Sequence, residues 1–226
     1  MSALQVVVLC GGKGERLRPL TADLPKPLIP IKGKPLLGHI VEHIQKYAVD
    51  ELIAAVGYKA DRIKEYFDAL GVKATLVDSG DADIVKRLTA CAPLIKGGFL
   101  VLYGDTLSNV DIDDLIAFHR ARPQKATVTV WPLRSPFGLL EVGEDGEVTS
   151  FKEKPTLDKW INIGYFYFEK EALSWMDGFE RFEDFLAHLV AKGQLNAYRH
   201  DGVHITVNTI NDLQEAEENI GRFLGS

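Results

Sequence analysis

An apolar run that leads directly into a glycine-rich, cationic loop constrains the fold of this chain more than any other feature. Residues 5–9 read QVVVL, a β-branched run typical of a buried parallel strand. The next residues, CGGKGERLRPLTADLPKPL, contain three glycines and the cations Lys13, Arg16, Arg18 and Lys26. Because consecutive backbone N–H groups in a glycine loop at a strand end can form an anion nest, this segment predicts a phosphate-binding site.

The charge distribution favours a small anionic ligand over a nucleic acid. The chain has a net charge of −6, and its densest positive charge lies around the glycine loop. Since the chain has no basic stripe that would release phosphate counterions, we expect no nucleic-acid partner.

The N-terminal residues and the cysteines predict a cytoplasmic protein without a membrane partner. The first apolar run is too short for a signal peptide or a membrane span, and no basic segment precedes it. Cys10 and Cys91 are far apart and form no C-x-x-C pattern, as expected of reduced thiols.

Strands and helices alternate through the first half of the chain. The patterns predict strands at 5–9, 51–56, 74–77 and 99–103, and helices at 35–47, 61–70, 83–94 and 111–120. Such alternation implies right-handed βαβ crossovers and a mainly parallel sheet.

The second half has more strands and fewer helices between them. Strands are predicted at 126–131, 138–142, 148–152, 163–168 and near 196–204, and helices at 169–175, 182–191 and 211–223. GEDGE at 143–147 predicts a hairpin turn of the Asp-Gly type. Because no repeat or linker interrupts the 226 residues, we expect one mixed α/β domain with an antiparallel C-terminal extension.

Two other phosphate-binding motifs fit the glycine loop poorly. A Walker A loop requires G-x-x-x-x-G-K-[ST], which GGKGERLR does not provide. The dinucleotide fingerprint requires a third glycine where Leu17 stands, and an acid further on where the chain has Lys32 and Lys34. A glycine turn with solvated basic side chains is the remaining alternative.

The segment GGKGERLRPLTADLPKPLIPIKGKPLL, residues 11–37, resembles the signature loop of the sugar-1-phosphate nucleotidyltransferases, or nucleotide-sugar pyrophosphorylases. YGDT at 103–106, FKEKP at 151–155 and INIGYF at 161–166 resemble later motifs of the same family. The resemblance implies a Rossmann-like three-layer α/β/α sandwich with a mainly parallel mixed sheet, the nucleotide-diphospho-sugar transferase fold. It also implies the reaction of an NTP with a sugar 1-phosphate to give an NDP-sugar and pyrophosphate.

Within that family the nucleotide base is left open. ATLVDSG at 74–80, YGDTLSNVDIDDLIAFH at 103–119 and GQLNAYRHDG at 193–202 resemble the glucose-1-phosphate cytidylyltransferases, which favours CTP. The glycine loop is more similar to guanylyl-, uridylyl- and thymidylyl-transferring members. A regulatory or sensor protein that binds nucleotide sugars but has lost turnover is an alternative from another class.

The resemblance implies roles for matching residues in the first half, residues 1–125, which would bind the nucleotide. Arg16 would hold the departing pyrophosphate, Lys26 would bridge the two reacting phosphates, and Asp105 would hold Mg²⁺. The nucleotide-binding residues would be Leu9, Gly11, Gly12, Gly14, Ser79, Gly80 and Lys86.

The second half, residues 126–226, would bind the sugar phosphate. Lys154 would hold its phosphate, while Glu153, Asn162 and the backbone of Gly138 would contact sugar hydroxyls. Many family members are oligomers, and the sequence leaves open whether this chain forms a homo-oligomer.

The chain departs from the family pattern at two places. The family usually has a second metal-binding aspartate before the last helix, and Asn208 occupies the matching place. Either the site has a lower charge and holds the metal more weakly, or Asp212 or Asp201 compensates, or catalysis is impaired. The segment after VDSG is shorter than in cytidylyltransferases and runs directly into DADIVKRL.

One further motif resembles a zinc site. His39, Glu42 and His43 match the H-x-x-E-H pattern, but the sequence offers no obvious third ligand. Histidine pairs on a helix are more often packing or surface residues, which is the interpretation favoured for this pair.

Overall fold

The computed structural model describes residues 4–225, and a seven-stranded mixed sheet forms its centre. The strands are β1 Leu4–Leu9, β2 Pro30–Ile31, β3 Lys34–Pro35, β4 Val49–Val56, β5 Ala74–Asp78, β6 Phe99–Tyr103, β7 Thr106–Ser108, β8 Ala126–Arg134, β9 Leu139–Val142, β10 Val148–Lys152, β11 Thr156–Phe168, β12 Leu195–Arg199 and β13 His204–Thr206. The helices are α1 Leu20–Asp23, α2 Leu36–Ile44, α3 Ala60–Leu70, α4 Ile84–Cys91, α5 Ile112–Arg120, α6 Glu171–Trp175, α7 Phe182–Ala191 and α8 Ile210–Leu224.

The central sheet has the order β12-β8-β11-β6-β1-β4-β5. β11 pairs antiparallel with both of its neighbours, whereas every other pairing in this sheet is parallel. The mainly parallel mixed sheet expected from the alternating pattern is confirmed.

Side chains that alternate along each central strand pack into two cores, one on each face of the sheet. On β1, Val6 and Val8 face the core that includes α2, α3, α5 and α8. Val7 faces the other core, against α4, α6 and α7. All three valines are fully buried, so the sheet is covered on both sides as in a three-layer α/β/α fold.

The second half extends the sheet in ways that the pattern predicted only in part. The runs at 138–142 and 148–152 form a hairpin, β9–β10, which is separate from the central sheet. The region near 196–204 contains two strands, of which β12 joins the central sheet beside β8 and β13 pairs with β7. β11 begins earlier than predicted because its polar first half, TLDKWIN, pairs with the end of β8.

The topology creates a crevice at the carboxyl ends of β1 and β6. From β1 the chain adds β4 and β5 on one side, and β6 then pairs with the opposite side of β1. Open α/β sheets bind ligands at such a reversal of strand order, because the two flanking connections diverge there. The glycine loop follows β1 and Asp105 follows β6, so both lie at this crevice. Within residues 4–225, no helix is long and apolar enough to cross a membrane.

Candidate active site

A cavity of about 330 Å³ lies at the reversal of strand order. Its lining includes five residues predicted from the sequence, which are Leu9, Gly11, Gly12, Lys26 and Asp105. The remaining lining residues are Pro27, Asp81, Ala82, Asp83, Ile84, Arg87, Tyr103 and Gly104.

Lys26 is the buried cation at one wall of this cavity. It lies in a short 3-10 turn, Lys26–Leu28, and the prolines on both sides of it restrict the backbone. Its side chain is only 10% exposed, and its Nζ donates to Asp105 Oδ2 at 2.5 Å and to Asn208 Oδ1 at 2.7 Å. The ammonium is therefore held in one place at the edge of the cavity.

Backbone packing fixes Asp105 beside Lys26. Gly104 donates its N–H to the Leu9 carbonyl at 3.1 Å, and a Cβ at position 104 would lie 2.5 Å from that oxygen. The Val207 N–H donates to the Asp105 carbonyl at 3.1 Å, and the Thr106 hydroxyl donates to Asp105 Oδ1 at 3.2 Å. Glycine before Asp105 thus permits the close approach of β6 to β1.

The start of α8 positions Asn208. Thr209 and Asp212 form a capping box, and Asp212 Oδ2 also accepts the backbone N–H of Asn208 at 2.9 Å. The Asn208 amide nitrogen donates to the Thr206 hydroxyl at 3.1 Å, which leaves Oδ1 directed at Lys26. The structure therefore brings Asn208 next to Lys26 and Asp105, as the sequence predicts.

The glycine loop closes over a buried arginine. Gly11 is buried, and its carbonyl accepts from Arg87 Nη2 at 3.0 Å. A Cβ on Gly11 would lie 1.2 Å from Arg87 Nη1, so only glycine fits between the loop and this guanidinium. Gly14 has a φ of 62°, in the left-handed region, and its carbonyl accepts from the Thr21 hydroxyl at 2.9 Å.

The other cations of the loop are exposed. Arg16 lies in the 3-10 turn Glu15–Leu17, outside the lining of the cavity, and among residues 4–225 no carboxylate lies within ion-pair distance of it. Lys13 forms an ion pair with Asp81 on the opposite rim, and this hydrogen-bonded carboxylate raises the pKa of Lys13. That ion pair joins the glycine loop to the loop after β5.

Three residues predicted to bind the nucleotide, Ser79, Gly80 and Lys86, are outside the lining of the cavity. Gly80 has a φ of 63°, and its N–H donates to Asp78 Oδ1 at 2.8 Å. The Ser79 hydroxyl is buried without a partner among the described residues. Lys86 is exposed on α4, so the predicted cation points away from the cavity that its neighbour Arg87 lines.

Asn162 is connected to the cavity through Tyr103. Its Oδ1 accepts the backbone N–H of Gly164 at 2.8 Å, and a hydrogen bond joins its side chain to the Tyr103 hydroxyl. Gly164 has a φ of 77°, and a Cβ there would lie 2.4 Å from the Tyr103 ring. Burial raises the pKa of Tyr103 to about 12, so the hydroxyl keeps its proton at neutral pH.

The other predicted sugar-site residues lie at the base of the β9–β10 hairpin. Glu153 and Lys154 are exposed in the turn between β10 and β11, and Lys154 has a φ of 45°. A Cβ on Gly138 would lie 2.7 Å from Glu153 Oε2, so these two residues are adjacent. Gly138, Glu153 and Lys154 are outside the lining of the 330 Å³ cavity.

His39 and His43 are packing residues on α2. Each ring is 3% exposed, and the Nε2 atoms lie 3.3 Å and 3.0 Å from the carbonyls of Ile31 and Val110, respectively. Burial lowers the pKa of both histidines. Within residues 4–225, no group of three or more histidine, cysteine or acidic side chains is placed to hold a metal ion.

Comparison with known proteins assigns the chain to a family. Residues 5–218 match the model of the family described as Nucleotidyl transferase. The chain belongs to this nucleotidyl transferase family.

Relatives of this nucleotidyl transferase cover nearly its full length. It is 36% identical over 243 residues to the "Probable glucose-1-phosphate cytidylyltransferase" of Bacillus subtilis (strain 168), covering 95% of each chain. It is 33% identical over 239 residues to the glucose-1-phosphate cytidylyltransferase of Salmonella typhi, covering 92% of this chain and 93% of the relative. The crystal structure of HddC from Yersinia pseudotuberculosis shares the fold, with a TM-score of 0.75, 24% identity and coverage of 96% and 99%.

The oxygen atoms beside Lys26 fit the divalent metal that nucleotidyl transferases of this family typically use. Asp105 and Asn208 present a carboxylate oxygen and an amide oxygen that converge on one cationic group. Mg²⁺ prefers oxygen ligands and is commonly held by one or two carboxylates together with substrate phosphates and water. This donor set therefore suits a metal that arrives with the nucleotide better than one held by protein atoms alone.

Arg87 is one of the cavity residues that sequence reasoning missed, and the one that is cationic. The buried residues of α4 are Val85, Arg87, Leu88 and Cys91, so the arginine lies in a stripe that is otherwise apolar. The sequence signal that could have identified Arg87 is its helical spacing, which places it on the same face as the apolar residues Leu88 and Cys91. The sequence analysis assigns the exposed neighbour, Lys86, because charge alone does not indicate which face of a helix a residue occupies.

Proposed function

We propose that this family member transfers a nucleotidyl group from an NTP, with CTP preferred, to a sugar 1-phosphate, and releases pyrophosphate. The observation that carries the proposal is the position of Lys26, held by Asp105 and Asn208 at the end of a glycine-loop cavity. A cation fixed there is placed to neutralise two phosphate groups that must approach each other.

The reaction needs positioning and charge neutralisation more than proton transfer. The attacking sugar phosphate oxygen is already an anion, so no general base is required. Lys26 would contact the α-phosphate and the incoming phosphate and neutralise their charge during in-line displacement. The amides of Gly11, Gly12 and Gly14 would hold the triphosphate, and the exposed Arg16 would close on the leaving pyrophosphate.

Asp105 and Asn208 would hold Mg²⁺. The bound ion would neutralise charge on the phosphate oxygens, which favours displacement at phosphorus. Both oxygens converge on one cation, the Lys26 ammonium, which the metal ion would replace at this position.

The acceptor substrate, the sugar 1-phosphate, would bind on the Tyr103 side of the cavity. Asn162, fixed by Tyr103 and Gly164, would contact sugar hydroxyls, with Glu153 and the Gly138 backbone beside it. Lys154 would hold the sugar phosphate.

The two cytidylyltransferase relatives support the preference for CTP. With the phosphates over the glycine loop, the base would lie toward Asp81, Ala82 and Asp83, which line the cavity after β5.

A matrix of substrates tests the proposal. Pyrophosphate release is measured for CTP, UTP, GTP and dTTP, each with glucose 1-phosphate, other hexose 1-phosphates and a heptose 1-phosphate, in Mg²⁺. We expect that pyrophosphate release requires both substrates and is fastest with CTP. Faster release with another nucleotide contradicts the base assignment, and nucleotide binding without release in any pair supports the sensor alternative.

Asn208→Asp is expected to lower the Mg²⁺ concentration that gives half-maximal activity by about three- to tenfold. The second carboxylate would add a charged ligand beside Asp105 without changing the side-chain volume. The Mg²⁺ dependence of CTP binding, measured by calorimetry, should shift in parallel. An unchanged dependence in both measurements would exclude Asn208 from the metal site.

Tyr103→Phe is expected to raise the KM for the sugar 1-phosphate several-fold and to change the KM for CTP less. The substitution removes the hydroxyl that is bonded to Asn162 and keeps the buried ring against Gly164. Steady-state kinetics with each substrate varied in turn provide the measurement. Equal increases in both KM values would show that Tyr103 does not act through the sugar site.

A further inference from the structure

Arg87 combines deep burial with contacts to three separate segments of backbone. Arg87 is only 6% exposed. Nη2 donates to Gly11 O at 3.0 Å, Nη1 to Val56 O at 3.2 Å and Nε to Ala82 O at 2.9 Å. The guanidinium therefore ties the glycine loop to the end of β4 and to the loop before α4.

None of these partners carries a negative charge. Among residues 4–225, no carboxylate lies within ion-pair distance of Arg87. Asp78, Asp81 and Asp83 are the acids of the neighbouring loop that influence it from further away. Asp81 is paired with Lys13. Asp83 Oδ1 accepts the Val85 N–H, as the cap of α4, and the Phe182 N–H at the start of α7.

A buried cation without a counter-ion is costly, because the interior solvates charge poorly. Burial correspondingly lowers the pKa of the Arg87 guanidinium, and it raises the pKa of the adjacent Cys10 thiol to about 12, so Cys10 provides no anion at neutral pH. Three carbonyls use three of the five N–H groups of the guanidinium. The positive charge and two N–H donors therefore have no partner among residues 4–225, and Arg87 lines the cavity.

We propose that Arg87 is a nucleotide-binding residue, a fixed positive charge under the glycine loop whose counter-ion is a phosphate of the bound nucleotide. The inference rests on the proposed function, since it takes the cavity to be the nucleotide site. It assigns the buried Arg87, rather than the exposed Lys86 beside it, as the cation that α4 contributes. The three carbonyl contacts position this charge before the nucleotide arrives.

Two substitutions separate charge from backbone anchoring. Arg87→Lys keeps the charge but cannot make all three carbonyl contacts, whereas Arg87→Gln keeps some donors and removes the charge. Calorimetry measures the Kd for tripolyphosphate, which has no base, and for CTP, both with Mg²⁺. Arg62→Gln on α3, an exposed arginine paired with Glu65, is the matched control and should bind both as the wild type does.

We expect Arg87→Gln to raise the Kd for tripolyphosphate and for CTP at least tenfold, and Arg87→Lys to stay within about threefold for tripolyphosphate. If the two variants lose tripolyphosphate affinity equally, or if Arg87→Gln binds it as the wild type does, the inference is wrong. Melting curves establish that each variant is folded. Should Arg87→Gln not fold, a tenfold loss in Arg87→Lys still overturns the inference, and retention within threefold supports it.

The proposed function and this inference fail in different ways. Wild-type protein that binds neither tripolyphosphate nor CTP contradicts the proposed function. Wild-type binding that is unaffected by loss of the Arg87 charge contradicts the inference alone.

Discussion

Lys26→Ala is expected to lower kcat by about two to three orders of magnitude, the cost of removing one preorganised donor from a site of developing charge. Among residues 4–225, Lys26 is the one side chain whose cationic atom contacts both Asp105 and Asn208, and it is buried at the cavity wall. Alanine leaves these two oxygens unpartnered and removes the charge that would draw the two phosphates together.

The loss should appear mainly in kcat, because the proposed contact strengthens as the phosphates approach each other. Steady-state kinetics with CTP and a sugar 1-phosphate measure it, and a melting curve shows that the variant is folded. Lys64→Ala is the matched control, since Lys64 is exposed on α3 and pairs only with Asp68 at 2.7 Å. A Lys26→Ala enzyme with nearly wild-type kcat would contradict the role assigned to this lysine.

Gly11→Ala is expected to destabilise the protein by several kcal/mol and to weaken nucleotide binding at least a hundredfold. The new Cβ would lie 1.2 Å from Arg87 Nη1 and 2.1 Å from its Cζ. Arg87 is held by three carbonyls in a buried place, so moving the guanidinium breaks charge-assisted hydrogen bonds worth about 1.5–3 kcal/mol each. The glycine loop would move with it.

Gly12→Ala is the matched control for stability. A Cβ on Gly12 would have no atom within 4 Å, so its free energy of unfolding should differ from wild type by less than about 0.5 kcal/mol. Urea denaturation of both variants gives the free energies of unfolding, and calorimetry with CTP gives the affinities. Equal stabilities for the two variants would mean that Arg87 is not fixed under the loop.

The parts of the site that directly follow short, regular strands could be predicted from the sequence. A β-branched run followed by glycines, and a second run followed by Gly-Asp, place the glycine loop and Asp105 at the same edge of a parallel sheet. Lys26 lies near them in the 3-10 turn Lys26–Leu28, where its flanking prolines restrict the backbone. The convergence of the glycine loop and Asp105 follows from strand direction.

The remaining parts depend on packing that a linear pattern does not contain. Arg87 reaches the loop because α4 turns one face to the sheet, and charge alone did not indicate which of two adjacent cations lies on that face. The first half of β11 is polar and forms a strand only because β8 supplies a partner. The contact between Asn208 and Lys26 joins residues 182 positions apart, through a capping box at α8.

A crystal structure of the protein with Mg²⁺ and a CTP analogue that cannot be cleaved between the α- and β-phosphates tests the central claim most directly. We expect the phosphates over Gly11, Gly12 and Gly14, the α-phosphate within hydrogen-bond distance of Lys26, and the base toward residues 81–83. A nucleotide bound at another surface, with this cavity empty, would contradict the account.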